Sequence, residues 1–134
     1  MGFGVLFPVL TVDRPIAAPA SRVWHILLDL DAWPLWGPSV RRAELDGGGR
    51  ELGPGSRGRV HTALGVSLPF EVTEFDAGRY WAWEVGGMSA TGHEVSGNAV
   101  RCRARFDVPW WAAAYLPVCA AALGRIDGIA TGRQ

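Results

Sequence analysis

The chain has 134 residues, 49% of them hydrophobic and 19% charged, and thirteen acidic residues balance thirteen basic ones. That length suits one domain, residues 1–134, able to bury roughly two-thirds of its unfolded surface. The balanced charge argues against nucleic acid or an anionic membrane as partner. All thirteen basic residues are Arg, so no Lys side chain is present for Schiff-base chemistry. Cys102 and Cys119 are too few for a disulfide framework and fit a reducing, cytoplasmic setting. The start M-G-F-G-V-L-F-P-V-L is apolar, with no basic residue before Arg14, and so lacks a signal peptide's charged head.

Phe7 to Arg14 reads as a first strand, although apolar residues fall on both of its faces. Ala17-Ala18-Pro19-Ala20-Ser21 opens a helix, with Pro19 near the first turn. Val23, Ile26, Leu27 and Leu30 share its buried face, Trp24 and Leu28 widen it, and His25 falls away from it. The prolines of Ala32-Trp33-Pro34-Leu35-Trp36-Gly37-Pro38 allow only a short second helical turn before a tight exit. Ser39 to Leu45 is a second strand, followed by the Gly47-Gly48-Gly49 loop and the Gly53-Pro54-Gly55 turn.

Arg57 to Ala63 and Val66 to Phe75 are strands three and four. Pro69 argues that the fourth is an edge strand or carries a bulge. Arg79 to Val85 and Met88 to Ser96 are strands five and six, joined by Gly86-Gly87. Gly97-Asn98 then predicts a two-residue hairpin into strand seven, Ala99 to Val108. There Val100, Cys102, Ala104, Phe106 and Val108 alternate with Arg101, Arg103, Arg105 and Asp107.

Val108 to Leu123 carries no charge over sixteen residues. Pro109 suits the first turn of a helix ending near Arg125 to Gly128, and Pro117 should kink or split it. The run is short for a membrane span and has no polar face for a surface helix. It therefore reads as a helix buried on most sides. Short Gly-rich turns predict an antiparallel sheet, and the apolar face of strand seven needs this helix as its cover.

The string I-A-A-P-A-S-R-V-W-H-I-L-L-D-L-D-A-W-P-L-W-G-P-S-V (Ile16 to Val40) resembles the START/pollen-allergen helix-grip (SRPBCC) superfamily, particularly its bacterial polyketide cyclase/dehydrase-like members. So do L-P-F-E-V-T-E-F-D-A-G-R-Y-W-A-W-E-V (Leu68 to Val85) and the closing apolar helix. The resemblance implies an α+β fold: a curved seven-stranded antiparallel sheet wrapped around a long C-terminal helix. Two short helices would lie between strands one and two, and a hydrophobic cavity between sheet and closing helix. Pro117 departs from the pattern and makes the cavity floor irregular.

No zinc spacing, phosphate loop, dinucleotide glycines or nucleophile elbow is present, so no metal or cofactor is expected. His93 shares strand parity with Thr91 and Val95. Facing a cavity it would offer acid/base chemistry near neutral pH; otherwise it is a hydrogen-bonded structural histidine. Trp36, Phe70, Trp81 and Trp83 are candidate aromatic walls for a ligand, or ordinary core. Thr91 and Tyr115 are candidate orienting groups. His61 has the parity of an exposed residue.

The leading expectation is binding of a hydrophobic small molecule: a lipid, an aromatic or a polyketide-like compound. An aromatase/cyclase- or dehydratase-type enzyme with His93 as its acid/base group is the alternative. A third is an interaction protein with a filled cavity. No membrane span is expected, and a homodimer stays open.

Overall fold

The computed structural model describes residues 9–132. The elements run β1 (Val9–Ile16), α1 (Ala20–Leu28), α2 (Trp33–Trp36), β2 (Val40–Leu45), β3 (Arg57–Thr62), β4 (Ser67–Asp76), β5 (Tyr80–Val85), β6 (Met88–Gly97) and β7 (Cys102–Pro109). A 3-10 segment (Trp110–Tyr115) and α3 (Leu116–Thr131) close the chain. The strands form one open sheet in the order β1-β7-β6-β5-β4-β3-β2. Every neighbouring pair is antiparallel. This is the α+β helix-grip arrangement expected from the sequence, with two short helices between β1 and β2.

Turn chemistry fixes the order. Gly86 and Gly87 both have positive φ, 61° and 82°, the conformation a tight hairpin needs at both central positions. The sheet's outer face carries cross-strand ion pairs such as Arg105–Glu94 at 3.0 Å and Arg103–Asp13 at 3.3 Å. Exposed pairs of this kind contribute little each. The inner face carries the core. Phe70 and Val72 of β4, Trp81 of β5, Val95 of β6 and Ala104, Phe106 and Val108 of β7 are buried there. They meet Val23, Trp24, Leu27 and Leu28 of α1, Trp33 and Trp36 of α2, and Leu123 and Ile126 of α3.

The helices are anchored by polar contacts at their ends. Arg14 Nε of β1 donates to Asp127 Oδ2 of α3 at 2.7 Å, where the Asp127 side chain is only 6% exposed. An Arg22 side-chain N–H of α1 donates to the Ala130 carbonyl at 2.9 Å. That satisfies one of the carbonyls a helix C-terminus leaves free. Gly132, at φ 75°, ends α3 in the left-handed conformation.

Several expectations need correction. β1 begins at Val9 and runs on to Ile16; Phe7 and Pro8 of the expected strand lie outside the described residues. β7 begins at Cys102, not Ala99. Asn98 Oδ1 accepts the Val100 and Arg101 backbone N–H groups at 2.8 and 3.1 Å, and this side-chain turn lengthens the hairpin. Val100 is thereby turned outward and exposed.

Pro69 lies in an interior strand, between β3 and β5. The last β4–β5 pair is Phe70↔Val85, and the Pro69 carbonyl accepts the Gly86 N–H at 2.8 Å. Its missing N–H therefore falls where that ladder ends. The bulge in β4 lies further on, between Val72 and Glu74.

Pro109 ends β7 rather than starting a helix. Pro117 stands in the first turn of α3, where proline is tolerated. The closing segment is not buried on most sides: no residue of Trp110–Tyr115 is buried. Burial begins at Cys119 and continues through Ala122, Leu123, Ile126, Asp127 and Ala130. By length and composition alone, Trp110–Thr131 could cross a membrane; here its α-helical part covers the sheet.

Candidate ligand cavity

Where the closing segment leaves the sheet, a cavity of about 570 Å³ opens. Val60 and Leu68 of β3 and β4 and Val85 of β5 supply sheet-side walls, and Trp83 supplies an aromatic one. Val108, Trp111 and Ala112 form the opposite side. Ala112 leaves room because it has no bulk beyond Cβ. The 3-10 segment holds the chain there because Pro109 and Pro117 prevent one continuous helix. The polar side chains on the lining are those of Ser39, Thr62, Ser89, Thr91 and Tyr115, with the indoles of Trp83 and Trp111; among the described residues no carboxylate, guanidinium or imidazole lines it.

A second space of about 40 Å³ lies deeper, shared by Trp36, Trp81, His93, Phe106 and Cys119. Ser39, Val40, Trp83, Thr91 and Tyr115 line both spaces. Tyr115 and Ser39 join their hydroxyls at 2.6 Å, linking the end of the 3-10 segment to the start of β2. Desolvation pushes the Tyr115 phenol up, and its hydrogen bond to Ser39 pulls weakly the other way.

Thr91 and Trp83 of the cavity wall form one hydrogen-bonded unit with His93 behind them. His93 Nδ1 lies 3.1 Å from the Trp81 carbonyl, and Nε2 lies 2.8 Å from Thr91 Oγ1. A carbonyl can only accept, so Nδ1 carries the proton and Nε2 accepts from the Thr91 hydroxyl. The Thr91 oxygen accepts Trp83 Nε1–H at 3.0 Å in turn.

His93 is 2% exposed, stacks on Trp81 at 3.9 Å between centroids and meets the Phe106 edge at 4.7 Å. Burial lowers its pKa to about 3, against a smaller upward pull from the Trp81 carbonyl. At neutral pH it is uncharged, with both ring nitrogens engaged.

The other candidates divide. Trp83, Thr91 and Tyr115 line the large cavity. Trp36 and Trp81 face only the small one. Trp36 Nε1 donates to the Ile26 carbonyl at 3.3 Å. Phe70 is core, packed on Trp33 and Trp83 at 5.7 and 5.4 Å. His61 is half-buried, its Nε2 3.3 Å from Glu44 on β2. Burial, then the Asp107 charge, pushes the Cys119 thiol to about 11, an unreactive state.

Sequence reasoning missed Trp33, which is 1% exposed, stacks parallel to Trp81 at 5.8 Å and donates Nε1–H to the Leu27 carbonyl. It also missed Trp111 as a cavity wall. The signal for Trp111 was Pro-Trp-Trp directly after a strand, with no helical stripe to bury either ring.

The family described as polyketide cyclase/dehydrase and lipid transport matches residues 8–127. The chain belongs to this family. Among curated proteins none matches the sequence.

Solved structures similar to this family member are distant in sequence. A hypothetical protein from Helicobacter pylori superposes with TM-score 0.74 at 14% identity, covering 92% of this chain and 88% of that one. Protein Ms6760 from Mycobacterium smegmatis gives 0.67 at 19%, covering 94% and 92%. The Zhui aromatase/cyclase from Streptomyces gives 0.67 at 18%, covering 95% of each chain. At such identities the likeness shows the shared fold.

Proposed function

We propose that the chain binds one hydrophobic small molecule, a lipid, an aromatic or a polyketide-like compound, in the cavity between sheet and closing segment. The observation that carries this reading is an open, almost wholly apolar space of about 570 Å³, within the range of small-molecule sites. A filled cavity, as an interaction protein would have, does not fit that volume. Burial of the ligand against Trp83, Trp111, Leu68 and Val85 supplies the affinity. The hydroxyls of Thr91, Tyr115 and Ser39 orient it. His93 acts behind Thr91: by accepting the hydrogen bond of the Thr91 hydroxyl it turns that oxygen to accept Trp83 Nε1–H.

The aromatase/cyclase alternative needs a group that exchanges protons near neutral pH within reach of the ligand. The large cavity offers hydroxyls and two indoles, and His93, the one candidate, has its pKa lowered to about 3. The inventory supports holding a ligand over turning one over.

Native mass spectrometry of the purified protein tests the reading. A single hydrophobic adduct, released on denaturation, is the expected result. An apo mass that stays unchanged after incubation with long-chain alcohols and polycyclic aromatics would contradict it.

A further inference from the structure

All strands alternate in direction, so one end of the sheet gathers the start of β2, the β3–β4 turn, the β5–β6 turn and the exit of β7 beside the start of β1. The cavity opens at this end. Of the nine exposed large hydrophobic side chains among the described residues, seven stand here. Leu64, 92% exposed, and Val66 are on the β3–β4 turn, and Met88 follows the β5–β6 turn. Val9 pairs with Pro109, next to Trp110 and Trp111, which are 56% and 52% exposed, with Tyr115 beyond them.

The turns and strand ends that form this end carry no charged side chain; the Arg59 guanidinium, on the sheet's outer face, reaches it at Ser67, 3.0 Å away. No Asp, Glu or Arg occurs in residues 9–12, 37–40, 62–70, 85–93 or 108–124. The opposite end carries the charged turns, such as Asp76–Arg79 at 2.7 Å and Arg50–Asp31 at 3.1 Å.

We propose that this uncharged rim docks on the interface of a neutral lipid bilayer, so that the cavity exchanges its ligand directly with the membrane. The inference rests on the hydrophobic-ligand reading above. Three observations select a bilayer. Trp and Tyr at the tips of an apolar patch suit the headgroup boundary, where an amphipathic ring has one dry and one wet side. With Arg59 as the basic group found to reach it, at Ser67, the rim fits a zwitterionic surface and offers little attraction for an anionic one. The patch is also a ring of turn tips around an opening, so a shallow insertion leaves the cavity mouth against the acyl region. A second copy seated there would seal it. The rim rests on the surface with no segment crossing, as interfacial proteins do.

Flotation with phosphatidylcholine vesicles tests the docking, and saturable binding of N-phenyl-1-naphthylamine, an uncharged hydrophobic fluorophore, tests the cavity without a membrane. Trp110 and Met88 lie on the rim outside the cavity lining. The wild-type protein should float with the vesicles, with no gain on raising phosphatidylglycerol content and no loss at high salt. The double variant Trp110→Ser/Met88→Ser should lose about tenfold or more in vesicle partitioning and keep its dye affinity. Val100→Ser, an exposed apolar residue at the far end, should change neither.

Wild-type protein that binds the dye but does not float overturns the docking and leaves the ligand reading standing. Failure of dye binding with flotation intact would sink the ligand reading instead. Flotation that appears only after deletion of residues 1–8 would give the rim to that uncharged segment. A concentration-dependent dimer lost in the double variant would give it to a second copy. Either result overturns the proposal.

Discussion

Thr91 holds two neighbours with one hydroxyl: it accepts from Trp83 Nε1 and donates to His93 Nε2. Thr91→Val keeps the shape and strands both partners. Each buried polar atom left unpaired costs about 1–3 kcal/mol, so the urea midpoint should fall by an amount in that range or above it. A change below about 0.5 kcal/mol would mean the unit is not formed.

His93 adds a pH dependence. Its folded pKa is lowered to about 3 from the ordinary 6.5, so the unfolded chain takes up the proton first. The stability it contributes is full above pH 6.5 and is lost as pH falls towards 3. Its slope there reaches about 1.4 kcal/mol per pH unit at most. Urea titrations of wild type and His93→Gln between pH 7 and 4 should show the variant losing stability less steeply, by up to one proton. Strand parity in the sequence brought Thr91 and His93 to one face. It could not reveal that Trp81's carbonyl and Thr91 would occupy both ring nitrogens, because those partners come from register and not from spacing.

At the scale of elements, the passage from β7 to α3 shapes the site. The sequence showed an uncharged run with two prolines, read as one buried helix that starts at Pro109 and is kinked or split at Pro117. Pro109 extends the strand and Pro117 opens α3, so Trp110–Tyr115 are left as a short 3-10 segment away from the core. Hydrophobicity alone could not separate these outcomes, since Trp111 is as apolar outside a core as inside one. Pro117→Ala should change stability by less than about 1 kcal/mol, as expected for first-turn proline. A gain approaching 3 kcal/mol would place it in a helix interior.

Gly58 on β3 shows another limit of pattern reading. A Cβ there would collide with the Glu44 backbone carbonyl and approach the Phe70 ring to 2.9 Å. Gly58→Ala should cost roughly 1–3 kcal/mol in a denaturation experiment, although nothing in the local sequence marks this glycine apart from those in turns.

Across the whole molecule, charge and apolar exposure segregate to opposite ends of one sheet, and the cavity opens at the uncharged end. The sheet and its helices were legible because turn glycines, period-two alternation and the Val23–Leu30 stripe agree with one another. The cavity was legible from the resemblance and from the small residues Ala112 to Ala114 of the closing run, but not its walls. Volume arises from what is missing between elements, and Ala112 opposite Trp83 becomes a wall only when the 3-10 segment has been placed. Trp36, Phe70 and Trp81 were read with Trp83 as walls because strand faces do not distinguish a lining residue from one a layer deeper. The depth was set by Trp33, which fills the space between Phe70, Trp81 and Trp83.

The central claim is that this space holds a ligand. Titration with N-phenyl-1-naphthylamine, comparing wild type with Ala112→Phe, tests it most directly, because the substitution fills the cavity from the segment that the core does not bury. Saturable one-to-one binding by wild type is expected, weakened about tenfold or more in the variant while its urea midpoint holds. Dye binding that is absent from wild type, or unchanged by the filled cavity, would contradict it.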